Sequence, residues 1–227
     1  MKIFDNHVAA KAFIKSSQRA LQRTLPDARL RVTALPTVEQ IQLALINADY
    51  QTGPLQADVM QAVIERPAYW AFCWGSGLAL ARWLLRNPRV VAGKRVADVG
   101  CGCGVGAIAA KMAGAKKVVA CDNDQDALLS ARINAELNNV SLAFADDVAR
   151  LENGFDLILM ADVLYDKSNY LLLQMAKSLT QTIIVADSRV QSIEDPDFTI
   201  FHRSEGLTYP NIGEFDEFRH VRFFRTS

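Results

Sequence analysis

The run Val96-Ala97-Asp98-Val99-Gly100-Cys101-Gly102-Cys103-Gly104-Val105-Gly106 restricts the fold most: an apolar strand empties into four glycines at alternate positions. Glycine lacks a Cβ, so the chain can turn tightly there. Its backbone N–H groups and the start of the next helix can then approach a ligand closely. The rhythm of apolar strand, turn and helix continues downstream. Strands are expected over residues 95–99, 117–121, 141–144, 155–160 and 182–186, with helices from Val105, from Gln125 and near Ser168. Such alternation predicts a parallel sheet covered by helices on both faces. Strand patterns over 198–201 and 220–224 suit antiparallel edge strands, giving an α/β, Rossmann-like sheet of seven strands.

Upstream, Val8, Ala12, Phe13, Ala20 and Leu21 approach helical spacing over residues 6–23, and Leu25-Pro26-Asp27 stops that helix. Ile41, Leu43 and Leu45 alternate like a short strand, and a helix is expected over 57–64. After Pro67 come Tyr69, Trp70, Phe72 and Trp74, then the turn-like Gly75-Ser76-Gly77 and a helix over 78–85 ending before Pro88. Residues 1–66 are therefore expected to form an N-terminal cap and residues 67–227 the core.

Lys plus Arg and Asp plus Glu number 25 each, so no overall field favours a polyanion and no nucleic-acid partner is expected. Half the residues are hydrophobic, enough to bury a core. No segment approaches bilayer-spanning length, and Asp5 interrupts the opening stretch where a secretory signal would be apolar. The expectation is a cytoplasmic protein without a membrane partner, plausibly monomeric. Cys101 and Cys103 are one residue apart with no second ligand pair to follow. With Cys73 and Cys121 they read as small buried thiols, and no metal is expected.

Asp122 ends the strand after the glycines, where doubly wound folds place a carboxylate that accepts hydrogen bonds from ribose hydroxyls. Gly102-Cys103-Gly104-Val105-Gly106-Ala107 also satisfies the loose dinucleotide pattern, so a nicotinamide-dependent oxidoreductase competes. Asp98 tips the reading. A carboxylate beside the turn is awkward next to a pyrophosphate but useful for S-adenosylmethionine, which has no phosphate and carries a cationic amino group. The candidate donor-site residues are Trp74, Asp98, Gly100, Cys101, Gly102, Gly104, Asp122, Asn123, Asp147 and Ala161. Asp147 is preferred to Asp146 for the adenine amino group. The alternative to ligand binding makes Asp124 or Asp126 a cap for the next helix.

Asp162 and Tyr165 follow the 155–160 strand at its carboxyl end, outside which ligands of open α/β sheets bind. Methyl transfer asks the protein chiefly to align nucleophile, methyl carbon and sulfur. A lysine acceptor with a reference pKa of about 10.4 is neutral in only about one molecule in a thousand at pH 7, a cost of about 4 to 5 kcal/mol. Asp162 is the candidate to hold and aim the amine, with Tyr165 beside it; the competing reading makes Asp162 a helix cap and Tyr165 a core residue.

These residues carry a resemblance to the seven-strand lysine methyltransferases, and within them to the branch acting on the β subunit of electron-transfer flavoprotein. The match runs through Pro67-Ala68-Tyr69-Trp70-Ala71-Phe72-Cys73-Trp74, Asn87-Pro88, the Asp98 to Gly106 turn and Asp122-Asn123-Asp124; the acid-x-x-tyrosine signature looks like Asp162-Val163-Leu164-Tyr165. Ser76 stands where that family often has glycine, and Cys101 where many members have serine. The resemblance implies donor contacts at Trp74, Asp98, Gly100, Asp122 and near Asp147, Asp162 facing the acceptor, and a protein substrate of which the flavoprotein β subunit is one candidate. A small-molecule amine methyltransferase and an inactive cofactor-binding module are further alternatives.

Overall fold

The computed structural model describes residues 15–50, 53–211 and 216–226. Of the helix expected over 6–23, residues 15–24 are helical (α1), and residues 6–14 lie outside the described residues. An antiparallel hairpin follows, β1 (Leu30–Leu35) and β2 (Val38–Ile46), and then α2 (Ala57–Glu65). A 3-10 turn (Tyr69–Ala71) leads to α3 (Gly75–Arg86). Next come β3 (Arg95–Val99), α4 (Val105–Met112), β4 (Lys117–Cys121), α5 (Gln125–Leu137), β5 (Ala143–Ala145) and β6 (Leu157–Ala161). The chain closes with α6 (Tyr170–Leu179), β7 (Ile183–Asp187), β8 (Phe198–Glu205) and β9 (His220–Thr226).

The main sheet has seven strands in the order β5-β4-β3-β6-β7-β9-β8. β3 to β7 are parallel, whereas β9 runs antiparallel between β7 and the edge strand β8. Strand periodicity of two divides the core between the faces. Val96, Leu157, Leu159, Ile184 and Phe223 join the cluster under α3, α4 and α5. Their neighbours Ala97, Ile158, Met160, Val185 and Phe224 point the other way, against Leu173 and Ala176 of α6. Both faces are covered, which is why these strands are near-continuous apolar runs. Among the described residues no helix is long and apolar enough to cross a membrane.

The N-terminal elements pack onto this core at a defined place. Ala20, Leu21 and Leu25 cluster with Ile46, Trp70, Phe72 and Ala127. Asn134 on α5 and Asn138, which caps the end of that helix, hold the free edge of β2. Asn134 Oδ1 accepts from Ala44 N–H at 2.7 Å, while Asn138 accepts from Gln42 N–H at 2.9 Å. Asn134 also donates to the Cys103 carbonyl at 2.8 Å, so one buried side chain ties the hairpin to the glycine turn.

Candidate active site

The glycine turn is held mainly by its own backbone. Gly100 and Cys101 N–H both donate to the Cys121 carbonyl (2.9 and 3.1 Å), and Gly104 N–H donates to Cys101 (2.7 Å). Gly102 N–H donates to Asp122 Oδ2 at 2.9 Å. Helix α4 begins after Gly104, which has no side chain to cap it. Asp98 supplies the cap from the neighbouring strand, its Oδ2 accepting from Ala107 N–H at 2.7 Å. A Cβ on Gly106 would lie 2.9 Å from that oxygen, so this position has to be bare. Burial, with a smaller push from the Asp122 charge, raises the Asp98 carboxyl to about 7 against the pull of the Ala107 bond.

Asp122 stands at the end of β4, with Oδ1 accepting from Asp124 N–H at 3.0 Å. Burial raises its pKa, and the Gly102 and Asp124 N–H groups oppose the rise. Asp124 caps α5 by accepting from Asp126 N–H at 2.8 Å. After β5, Asp147 accepts from Ala149 N–H at 2.8 Å, while Asp146 turns outward to pair with Arg150 at 2.7 Å.

Asp162 follows β6 with a positive φ of 51°, a backbone region that aspartate tolerates better than most residues. Its carboxylate meets the first turn of α3: Ser76 N–H donates to Oδ2 at 2.9 Å and the Ser76 hydroxyl to Oδ1 at 2.5 Å. The Ser188 hydroxyl lies 3.4 Å from Oδ1. Burial, then the nearby Asp187, lifts the Asp162 carboxyl to about 7, while Ser76 and Arg189 pull it down. These bonds explain why α3 starts at Gly75, three residues before the expected start.

Between these elements opens a cavity of about 630 Å³, a size suited to a nucleoside-sized ligand. Four carboxylates line it, Asp122, Asp124, Asp147 and Asp162, against one guanidinium, Arg189. Trp74, whose indole N–H donates to the Tyr69 carbonyl at 2.9 Å, contributes an aromatic wall.

Residues 82–189 match the family model described as Ribosomal protein L11 methyltransferase (PrmA). The electron transfer flavoprotein beta subunit lysine methyltransferase of Danio rerio is 48% identical over 103 residues, 44% of this chain and 40% of that protein. The Caenorhabditis elegans homolog of that enzyme is 38% identical over 144 residues, 56% of this chain and 58% of its own. The chain thus spans about half the length of the curated relatives it matches. Among solved structures, magnesium protoporphyrin IX methyltransferase from Synechocystis PCC 6803 with bound SAM superposes with a TM-score of 0.52 at 18% identity, over 94% of this chain and 95% of that one. The fold is that of the Rossmann-like methyltransferases.

Within this methyltransferase fold, nine residues singled out from the sequence line this same cavity: Trp74, Gly100, Gly102, Asp122, Asn123, Asp147, Ala161, Asp162 and Tyr165. Three others are not among its lining. Asp98 is turned under the glycines to cap α4, Cys101 is buried, and Gly104 packs against Ala131 of α5. Asp124 does cap α5, as the structural reading of that acid expects, yet it also lines the cavity. Tyr165 is 54% exposed and so is not a core residue. All four cysteines are buried free thiols. Arg189, Asn169, Leu172 and Met175 also line the cavity and carry no motif that would mark them in the sequence.

Proposed function

We propose that the chain is an S-adenosylmethionine-dependent N-methyltransferase acting on a lysine of a protein substrate. The carrying observation is the charge and hydrogen-bond state of the glycine corner. A pyrophosphate needs free N–H groups, whereas those of Gly100, Cys101, Gly102 and Gly104 are already donated within the corner. Four carboxylates around the cavity favour a sulfonium and an amino group over phosphates. A Cβ added to Gly102 meets nothing within 4 Å, so the donor can lie directly on this backbone. The similarity to lysine methyltransferases over the central segment supports the same reading.

S-adenosylmethionine supplies an electrophilic methyl group. Asp122 would accept from the ribose hydroxyls, Asn123 and Asp147 would hold the adenine end, and Trp74 with Ala161 would wall the same cavity. Asp162 accepts one N–H of the neutral lysine amine and aims its lone pair. When bound, the donor would supply its methyl carbon to that lone pair and keep the electrons of the C–S bond on sulfur, and the methylated amine would release its extra proton to solvent. Residues 1–66 act as a cap over residues 67–227, and a cytoplasmic location agrees with four free thiols.

The acceptor is tested by intact-mass analysis of candidate proteins after incubation with enzyme and donor, beginning with the electron-transfer flavoprotein β subunit. Additions of 14 Da per methyl group that map to lysine are expected. Label passing only to small metabolites would assign the enzyme to small amines.

A further inference from the structure

We propose that Asp187 is a positioning residue for methyl transfer, its carboxylate fastening the loop after β6 to the loop after β7 and placing a fixed negative charge beside Asp162. The proposal rests on the methyltransferase reading of the cavity and adds a residue that neither the glycine corner nor the acid-x-x-tyrosine signature contains. Asp187 ends β7 and is fully buried. Its Oδ1 accepts from Arg189 N–H at 2.8 Å and Val190 N–H at 3.0 Å, and its Oδ2 from Leu164 N–H at 3.3 Å. The sheet register brings the two acids together. β6 and β7 are parallel neighbours with Ala161 opposite Ala186, and Asp162 N–H donates to the Ala186 carbonyl at 3.1 Å, so Asp162 and Asp187 leave adjacent strand ends. The next residue, Ser188, brings its hydroxyl to 3.4 Å from Asp162 Oδ1.

A clasp alone does not call for a charge. An asparagine oxygen could accept the Arg189 and Val190 bonds, and burying a carboxylate is costly. Burial raises the Asp187 carboxyl, while the N–H groups of Arg189, Val190 and Leu164 oppose the rise and favour the charged form. In the proposed transfer positive charge would build on the acceptor nitrogen held by Asp162. A buried negative charge next to that carboxylate stabilises it more there than before transfer. The same charge raises the Asp162 carboxyl, second to burial. The other charged or titratable groups around the pair are Arg189, Cys73 before α3, Tyr170 on α6 and, near Tyr170, Glu194. Arg189 pulls both acids down. Tyr170 is raised by burial and then by Asp187 and Glu194, and Cys73 by its bond with Cys103, by burial and, least, by Asp162. Both stay neutral near pH 7 and leave Asp187 as the acid that acts on Asp162.

The test compares Asp187→Asn with wild type in two readouts. The Asp162 carboxyl is titrated by carboxyl-carbon NMR in the full chain saturated with S-adenosylhomocysteine, its signal assigned with Asp162→Asn. Removing the neighbouring charge is expected to lower its midpoint by about one pH unit. Methyl transfer to the electron-transfer flavoprotein β subunit is followed over the same pH range. Its acidic limb should move down with that midpoint while the plateau rate falls roughly tenfold. These two changes together separate a charge from a clasp, because a purely structural loss lowers the rate without moving Asp162. Calorimetry with S-adenosylhomocysteine reports folding and donor affinity, both expected to persist, and Asp187→Ser provides a second neutral variant should the amide misfold. An unmoved or raised midpoint, a wild-type plateau rate, or loss of donor binding in both neutral variants would overturn the assignment. A wild-type chain that binds S-adenosylhomocysteine but leaves the flavoprotein unmethylated removes that acceptor, and the midpoint then decides for Asp187. One that does not bind it overturns the methyltransferase reading itself.

Discussion

Ser76 donates twice to Asp162, through its backbone N–H at 2.9 Å and its hydroxyl at 2.5 Å. The pair joins the first turn of α3 to the loop after β6. The positive end of the helix thereby faces a carboxylate whose pKa burial and Asp187 raise and the Ser76 bonds lower.

The hydroxyl should therefore tune the pH dependence of transfer. In the proposed mechanism Asp162 acts ionised, so the rate is expected to rise as pH passes through its pKa of about 7. A hydrogen bond to a charged group is worth roughly 1.5–3 kcal/mol, or about one to two pK units. Ser76→Ala is expected to move the acidic limb of the rate profile upward by about one pH unit. A limb that stays in place would separate Ser76 from the ionisation.

Stability should fall as pH rises from about 4 to about 7. Asp98 and Asp162 titrate near 7 in the fold against 3.8 for the free side chain. Over that window the folded chain keeps protons that the unfolded chain has released, which favours folding at the acidic end. The buried Asp122 and Asp187 shift in the same direction. The urea midpoint is expected to be higher at pH 5 than at pH 8. Asp98→Asn, whose amide oxygen still accepts from Ala107, should flatten the difference.

Gly100 and Val163 are packed as one joint. A Cβ on Gly100 would lie 2.6 Å from Val163 Cγ2, and the backbone there has a φ of 71°. Gly100→Ala is expected to cost roughly 1–2 kcal/mol for the left-handed conformation and a further ~1–3 kcal/mol for overpacking, and to weaken donor binding. Adding Val163→Ala should recover only the packing part. A single variant as stable as wild type in urea titration would contradict this geometry.

Asn134 is the polar link between cap and corner. Replacement by alanine leaves the Ala44 N–H and the Cys103 carbonyl without the bonds now seen, at about 1–3 kcal/mol for each buried group left unpaired. Asn134→Ala is expected to lower the thermal midpoint by several degrees, whereas Asn138→Ala, at the more exposed pair, should do less.

The core of the fold is legible because β3 and β4 are buried on both faces and the strand before the glycines has one reading. Their bounds, Arg95–Val99 and Lys117–Cys121, coincide with the expected ones. β1 escapes because Arg31, Val32 and Ala34 are exposed and leave no period of two; its strand character comes from pairing with β2. The first turn of α3 reads as a loop, since Gly75-Ser76-Gly77 has poor helix propensity and is held there by Asp162. Asp98 shows the limit for the site. An acid beside glycines looks like a ligand contact, and only the fold reveals that α4 lacks a cap of its own. Met175 reaches the cavity from α6 and Arg189 from the loop after β7, both outside the motifs, and no local pattern encodes that placement.

Calorimetric titration with S-adenosylmethionine and, separately, with NAD tests most directly whether the glycine corner and Asp122 grasp a sulfonium nucleoside. One-to-one binding of S-adenosylmethionine is expected, weakened severely by Asp122→Ala and left nearly intact by Asp162→Asn, with no heat from NAD. Tight binding of NAD and none of S-adenosylmethionine would contradict it.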